Sequence, residues 1–368
     1  QRITVIKAMT DGEEGKRIVD TILEQKTRHH LSNKEIAILY RTNAQSRVFE
    51  EYLRRYNIAY RIFGGQSFYQ RKEVKDLVAY LRAVVNPKDE EALRRVINFP
   101  KRAIGNTTVD KIMELATKQD ISMWDAIKQF PATGRTRSNL NEFIDIIESA
   151  HKKLNTANAF EVATLIAKRS KLEDFYKKDN SIEGMGRLEN FQSLLNGIQA
   201  FVEDDRPGLE TEEANDKGLA SYLQNIALLT DADDKDPETA DNVTLMSVHA
   251  AKGLEFRSVF VSGLEEKLFP SFMSMDTPEG LDEERRLFYV AITRAEEFLT
   301  LSFANARYRF GKMSYNEPSR FLTEIPTHHV TNTANLSSVS DDARTPMGPP
   351  AARVTGHFKR AQAGPLQP

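Results

Sequence analysis

Two hydrophobic rhythms divide the chain. Apolar residues come in short uninterrupted runs near its beginning and again after residue 243, and at helical spacing in the long stretch between. Ile3-Thr-Val-Ile-Lys-Ala8 is β-rich. Ile36-Ala-Ile-Leu-Tyr40 is a continuous apolar run of the kind that fills a strand buried on both faces. Ala59-Tyr-Arg-Ile-Phe63 reads as a third strand, closed by Gly64-Gly65. Ile18, Val19, Ile22 and Leu23, and later Val48, Tyr52 and Leu53, share one helical face each and predict helices between these strands. Strand and helix in alternation is the pattern of a parallel α/β sheet.

From Lys72 to Leu229 the period is helical almost throughout. Leu77, Tyr80, Leu81, Val84 and Val85 form one stripe; Leu188, Phe191, Leu194, Leu195 and Ile198 form another. Strand-like runs return at Val243–Val248, Ser258–Val261 and Phe298–Ser302, with a helix over Leu287, Phe288, Val290 and Ala291 leading into the last. The simplest fold is one α/β domain interrupted by a helical insert. Three consecutive domains would leave the first α/β half with few strands and unpaired edges. The expected division is 1–70 and 235–326 for the α/β domain, 71–234 for the insert, and a disordered Thr/Asn/Ser- then Pro/Gly/Ala-rich tail over 327–368.

Composition narrows this picture little. The 368 residues are 40% apolar, enough for more than one core, and the net charge of −2 means any nucleic-acid surface is local. Acidic runs at Glu203–Asp205 and Asp231–Asp241 read as solvated loops that offset a basic face. The absence of cysteine excludes disulfides, thiolate catalysis and sulfur-built zinc sites, and fits a reducing cytoplasm. No apolar run approaches the roughly 20 residues of a membrane span, so no membrane partner is expected. The start, Gln-Arg-Ile-Thr-Val-Ile, lacks a signal-peptide pattern and an initiating Met, which suggests a fragment of a longer protein.

The candidate chemistry begins with a negative. The nearest approach to a phosphate loop, Gly12-Glu-Glu-Gly-Lys16-Arg17, is too short and too acidic, and reads as a helix N-terminus with its carboxylates on the dipole. The chain alone is therefore not expected to hydrolyse ATP. Two later segments carry more. In Ser247-Val-His-Ala-Ala-Lys-Gly-Leu-Glu-Phe256 a strand runs into a polar loop, with Gly253 permitting an unusual backbone angle. His249, Lys252 and Glu255 could then face one crevice, the place where open α/β sheets bind ligands. In Glu283-Glu-Arg-Arg-Leu-Phe-Tyr-Val-Ala-Ile-Thr-Arg-Ala295, Arg285 and Arg286 can pair with nearby acids, while Arg294 stands at the helix end with a fork of donors suited to phosphate. Two further stretches suit nucleic acid. Arg307-Tyr-Arg-Phe-Gly-Lys312 interleaves aromatics and cations, as a stacking platform does, with Tyr308 and Phe310 as the candidate aromatics. Phe99–Thr108 sets a glycine turn before a helix, a ready phosphate site, with Lys101 and Arg102 adding charge.

Together these segments resemble the UvrD/Rep family of superfamily-1 DNA helicases, over roughly residues 1–325. Residues 248–256 and 283–295 are similar to motifs V and VI of that family. Leu39–Arg47 is similar to a strand and loop of its second motor domain, and Gly64–Asp76 to the entry of its inserted domain. The resemblance implies a RecA-like parallel-sheet motor domain, of P-loop-NTPase type, interrupted by a mainly helical DNA-binding insert. It implies ATP as cofactor, with Mg2+ held by ligands in an absent first motor domain rather than by this chain. It implies that Arg294 acts as an arginine finger, that Glu255 with Gly253 meets the nucleotide sugar, and that Arg41, Asn43, His249 and Lys252 border the DNA. Lys101, Arg102, Ile104, Gly105 and Thr107 match a Gly-Ile-Gly hairpin that grips duplex, although Ala103 replaces its first glycine. The implied partners are single-stranded DNA, a duplex junction, the first motor domain, and repair or replication proteins, in the bacterial cytoplasm at the nucleoid. The implied activity is 3′ to 5′ translocation and unwinding. The alternative is a helicase-like subunit without catalysis that binds DNA or protein.

Overall fold

Ile36–Tyr40 forms strand β2, every residue of it buried, between two parallel neighbours. The computed structural model describes residues 2–203, 216–230, 241–309 and 312–331. In it β1 (Thr4–Thr10), β2 and β3 (Tyr60–Ile62) come from before the helical stretch. Strands β4 (Val243–Ser247), β5 (Phe256–Val261) and β6 (Ala295–Arg309) come from after it. They interleave in the order β1-β6-β5-β2-β4-β3, all parallel, and β7 (Lys312–Tyr315) folds back antiparallel on β6. One sheet thus takes strands from both ends of the chain, which excludes three consecutive domains.

Side-chain alternation divides the strands between two cores. Ile38, Tyr40, Leu245 and Phe260 face Ile18, Val19 and Ile22 of helix α1 (Asp11–His29) and Phe49 and Leu53 of α2 (Ser46–Arg55). On the other face Ala37, Leu39, Met246 and Val261 meet Phe288 and Ala291 of α12 (Pro278–Ile292) and Phe321 of α13 (Arg320–Thr323). The result is a helix–sheet–helix α/β domain of the expected class.

The chain leaves this sheet after β3 and returns at β4, its lateral neighbour, with Tyr60 paired to Val243. The excursion holds nine helices among the described residues: α3 (Lys72–Val85), α4 (Glu90–Val96), α5 (Asn106–Gln119), α6 (Met123–Gln129), α7 (Gly134–His151), α8 (Ala159–Arg169), α9 (Leu172–Lys177), α10 (Ile182–Glu203) and α11 (Leu219–Thr230). They enclose a core of their own, including Leu77, Tyr80, Phe143, Val162, Phe191 and Leu194. Helix α10 ties the insert to the α/β sheet. Ser193 Oγ accepts from Arg47 Nε and donates to Ala44 O, both at 3.1 Å, and Asn196 Nδ2 donates to Tyr308 O at 2.7 Å. Gly197 leaves room at this crossing for Arg47, whose Nη1 would lie 2.7 Å from a Cβ there and would have to shift.

Three expectations change. The strand expected at 298–302 runs from Ala295 to Arg309, so the Arg307–Lys312 run lies in a β-hairpin. Residues 327–331, expected in the tail, pack back on the sheet: Ile3 N–H donates to His329 O at 2.8 Å and Val330 is buried. Residues 332–368 of that expected tail lie outside the described residues. Glu14 keeps its expected place in the first turn of α1, but its carboxylate, expected on the helix dipole, is buried and bound elsewhere. It accepts from Gly263 N–H at 2.9 Å, Ser302 Oγ at 2.6 Å and Arg307 Nη2 at 2.5 Å.

Candidate nucleotide and nucleic-acid site

The two most informative segments of the sequence meet at the amino ends of the paired interior strands β5 and β6. After β4, Ser247 caps a short 3₁₀ turn by accepting from Ala250 N–H at 3.4 Å, and the chain then passes Gly253 at φ +86° before entering β5. No atom lies within 4 Å of a Cβ built on Gly253, so the glycine is required by its backbone angle and not by space. Lys252, Gly253 and Glu255 are exposed on this loop. Arg294, at the end of α12, donates Nη1–H to Leu254 O at 2.8 Å, Nε–H to Val290 O at 3.1 Å and Nη2–H to Thr293 Oγ1 at 3.2 Å. Its own carbonyl accepts from Phe256 N–H at 2.9 Å, which locks the helix end to the loop. The guanidinium is half-buried and folded over its own domain rather than extended from it. Of the five N–H donors of an arginine, three are engaged among the described residues, leaving two for an incoming anion.

A second cluster sits at the carboxyl end of β2. Arg41 donates to Glu284 through Nη2 at 2.7 Å and Nε at 3.1 Å. Glu284 is only 2% exposed and also accepts from Ser271 N–H at 3.0 Å and Ser274 Oγ at 3.1 Å. Burial raises the pKa of this carboxyl, but Arg41 and the two serine donors outweigh it and hold it below the ordinary range. Arg41 was expected to face a phosphate and is instead half occupied by an acid that the sequence reading had assigned to surface pairing. His249 reaches solvent beside it; crowding and the Arg41 charge hold its imidazole below the usual pKa, with Glu284 and Glu283 acting in the opposite sense. Asn43 is exposed in the turn that follows Arg41. Arg285 and Arg286 pair with Asp282 at 2.7 Å and Glu283 at 3.1 Å, as ordinary surface ion pairs.

The hairpin departs from the expected stacking platform. Arg307 is buried between Glu265, at 2.6 Å, and Glu14, at 2.5 Å. Glu265 also accepts from Ala304 N–H at 2.7 Å and Asn316 Nδ2 at 2.6 Å, and burial pushes its pKa up against the pull of Arg307. Glu265 escaped the sequence reading; its signal was an acidic pair directly after an apolar strand end. Tyr308 is half-buried, its hydroxyl bonded to Glu203 of α10. Phe310 lies outside the described residues.

At the insert turn the structure corrects two residues. Arg102 donates Nη1–H to Val96 O and Phe99 O, both at 3.1 Å, and Nη2–H to Ser170 O at 3.1 Å, so its charge closes the turn from inside. Ile104 is fully buried, and its N–H is taken by Asn98 Oδ1 at 3.1 Å, which also holds Arg102 N–H at 2.9 Å. Neither side chain is placed to meet DNA. Lys101, Gly105 and Thr107 remain exposed at the start of α5. The left-handed residue of the turn is Ala103, at φ 56°, whereas Gly105 is an ordinary extended N-cap with open space around it.

A cleft lies elsewhere. It has a volume of about 520 Å3, lies between α2, α10, α11 and the hairpin, and none of the loop 248–256 lines it. Among the described residues no cluster of acidic and imidazole groups could hold a metal, and no helix is long and apolar enough to cross a membrane.

Comparison with known proteins bears on these geometries. The family described as UvrD-like helicase C-terminal domain matches residues 1–306. An ATP-dependent DNA helicase PcrA of Staphylococcus epidermidis is 40% identical over 333 residues, covering 88% of this chain and 44% of that protein. One from Staphylococcus aureus is 37% identical over 337 residues, covering 90% of this chain and 45% of the relative. The chain thus spans less than half the length of these relatives.

Proposed function

The chain belongs to the UvrD-like helicase family through its C-terminal domain, and from that premise we propose that it is the second motor half of an ATP-dependent DNA helicase. The observation that carries the reading is the contact of Arg294 Nη1 with Leu254 O at 2.8 Å, which gathers a phosphate-seeking guanidinium, Lys252 and the free carboxylate of Glu255 on one strand edge. ATP is the substrate and binds between this edge and a first motor domain outside the chain. That domain supplies the phosphate loop and the acids for magnesium. Arg294 offers its two remaining N–H donors to the γ-phosphate and trades Leu254 O for phosphate oxygen as the cleft closes. Charge that develops on the transferred phosphoryl group is then met by a fixed cation, worth about 10³ to 10⁵ in rate. Glu255 accepts from a sugar hydroxyl, and the angle at Gly253 lets the loop approach the nucleotide.

DNA lies along Arg41, Asn43, His249 and Lys252. Phosphate contacts there fix the strand without reading its sequence. Lys101 and the N–H groups of Gly105 and Thr107, at the exposed start of α5, hold duplex at the insert, and the strand is tracked 3′ to 5′. Repair or replication partners at the nucleoid belong to the same proposal.

One observation favours the non-catalytic alternative: Arg294 is held by its own domain. Joining the chain to the first motor half of a relative separates the two. The helicase reading expects ATP hydrolysis that rises with single-stranded DNA. No hydrolysis with or without DNA would favour the non-catalytic subunit.

A further inference from the structure

Two large apolar side chains stand in solvent on a loop that is otherwise tied down. Phe272 is 60% exposed and Met273 57%, at the tip of the turn between β5 and α12. The stem below them is fixed. Phe269 is fully buried, its ring centroid 6.0 Å from Phe288 and 6.1 Å from Phe321, both in edge contact. Phe272 N–H donates to Lys267 O at 3.3 Å and Ser274 N–H to Ser271 O at 3.0 Å. Exposure here is not looseness: the backbone is anchored on both sides, and Phe272 forgoes the burial an aromatic ordinarily gains.

The anchor is shared with a cation. Glu284 holds Ser271 and Ser274 of this loop and, through the same two oxygens, Arg41. Arg41 bonds Glu284 through Nε and Nη2 only, so its Nη1 donors have no partner among the described residues. One buried carboxylate therefore ties the stem of the loop that carries Phe272 to a guanidinium with open donors, and His249 feels the charge of both carboxylate and guanidinium. An exposed ring on a loop anchored to a phosphate-seeking fork suits the alternating base and phosphate of a nucleic-acid strand. A wholly apolar partner would have no use for the fork.

Resting on the reading that this edge carries nucleic acid, we propose that Phe272, backed by Met273, is a seat on which one base of a single strand stacks while Arg41 holds the adjoining phosphate. Base–aromatic stacking tolerates any base, so the seat adds affinity without adding sequence preference.

The test uses this chain, a fluorescent oligo-dT and an abasic oligonucleotide of equal length, with a 2-aminopurine strand to report stacking. Phe272→Ala should weaken oligo-dT binding by about tenfold, the scale of one stacked base, and leave the abasic strand unaffected. It should also abolish 2-aminopurine quenching, whereas Phe272→Trp should preserve both signals. Arg41→Ala should weaken both strands alike. Phe272→Ala that binds oligo-dT as the parent does, with quenching intact, overturns the seat and points to a protein contact at this loop. Equal weakening of dT and abasic strands also overturns it, as loss of loop structure. A parent chain that binds neither strand removes the nucleic-acid reading itself, and the seat with it.

Discussion

The strand edge around Arg294 and the insert turn around Arg102 are built from the same materials, a glycine turn beside a helix end with cations close by, yet they use their charge in opposite ways. At the insert turn the guanidinium is ringed by backbone: Arg102 binds carbonyls from residues 96, 99, 100 and 170. At the strand edge Arg294 binds only two carbonyls and one hydroxyl. Arg102 closes a structure, and Arg294 stands at the rim of one. Whether an arginine serves stability or binding is decided by how many carbonyls crowd it, not by the glycines around it.

The largest contrast lies in what removal costs. In the chain joined to a first motor half, Arg294→Ala should lower DNA-stimulated kcat by about 10³-fold or more with KM for ATP changed by less than about tenfold, as loss of a transition-state contact does. Arg102→Ala should leave kcat near the parent value and instead cost about 3 kcal/mol of stability, because four part-buried carbonyls lose a charged donor. Urea melts read the second effect and steady-state kinetics the first. Arg102→Ala that unfolds no more readily than the parent would erase the contrast.

Glu284→Gln probes the same comparison at the neighbouring cation and should cost about 2 kcal/mol at neutral pH. The folded-state pKa of Glu284 is depressed, so its contribution is present above the unfolded carboxylate range and is lost as pH falls through the folded value. The urea midpoint of the variant should therefore fall less steeply on acidification than that of the parent; parallel acid limbs would contradict the assignment.

Smaller effects sharpen the insert side. Gly105 has no neighbour within 4 Å of a Cβ and an ordinary φ of −73°, so Gly105→Val should fold normally. It should weaken duplex-junction binding several-fold more than single-strand binding in salt titrations, by screening the helix N–H groups from phosphate. Equal losses would mean the turn itself had moved. Ala103→Gly should stabilise by about 0.5–1 kcal/mol, since an exposed alanine is held at a left-handed angle there; an unchanged melt would show that the strain is relieved elsewhere.

Much of the architecture could be read from local pattern. The five-residue apolar run of β2 needs no distant information to be a central strand, and the change to helical period at Lys72 marks the insert. The meeting of the 248–256 loop with the end of α12 appears only in the structure, where both flank strands that pair, Phe256 with Ala295. What failed were the statements about particular charges, Arg41, Arg102 and Glu14 among them, whose partners lie far away in sequence. The partners of Glu14 lie 249 to 293 residues away, and one carbonyl that saturates Arg102 lies 68 residues away. The backfolding of Arg294 depends on Leu254, 40 residues distant. Phe272 was missed for the converse reason: an apolar residue in a short loop reads as core until the structure leaves it in water.

The central claim, that Arg294 completes a phosphoryl-transfer site across a cleft, is tested most directly by the affinity of the joined protein for ADP with aluminium fluoride, a planar mimic of the group in transfer. The account predicts that Arg294→Ala loses about 10³-fold in affinity for this complex while its affinity for ADP alone stays within about tenfold of the parent. A variant that binds both as tightly as the parent would contradict it.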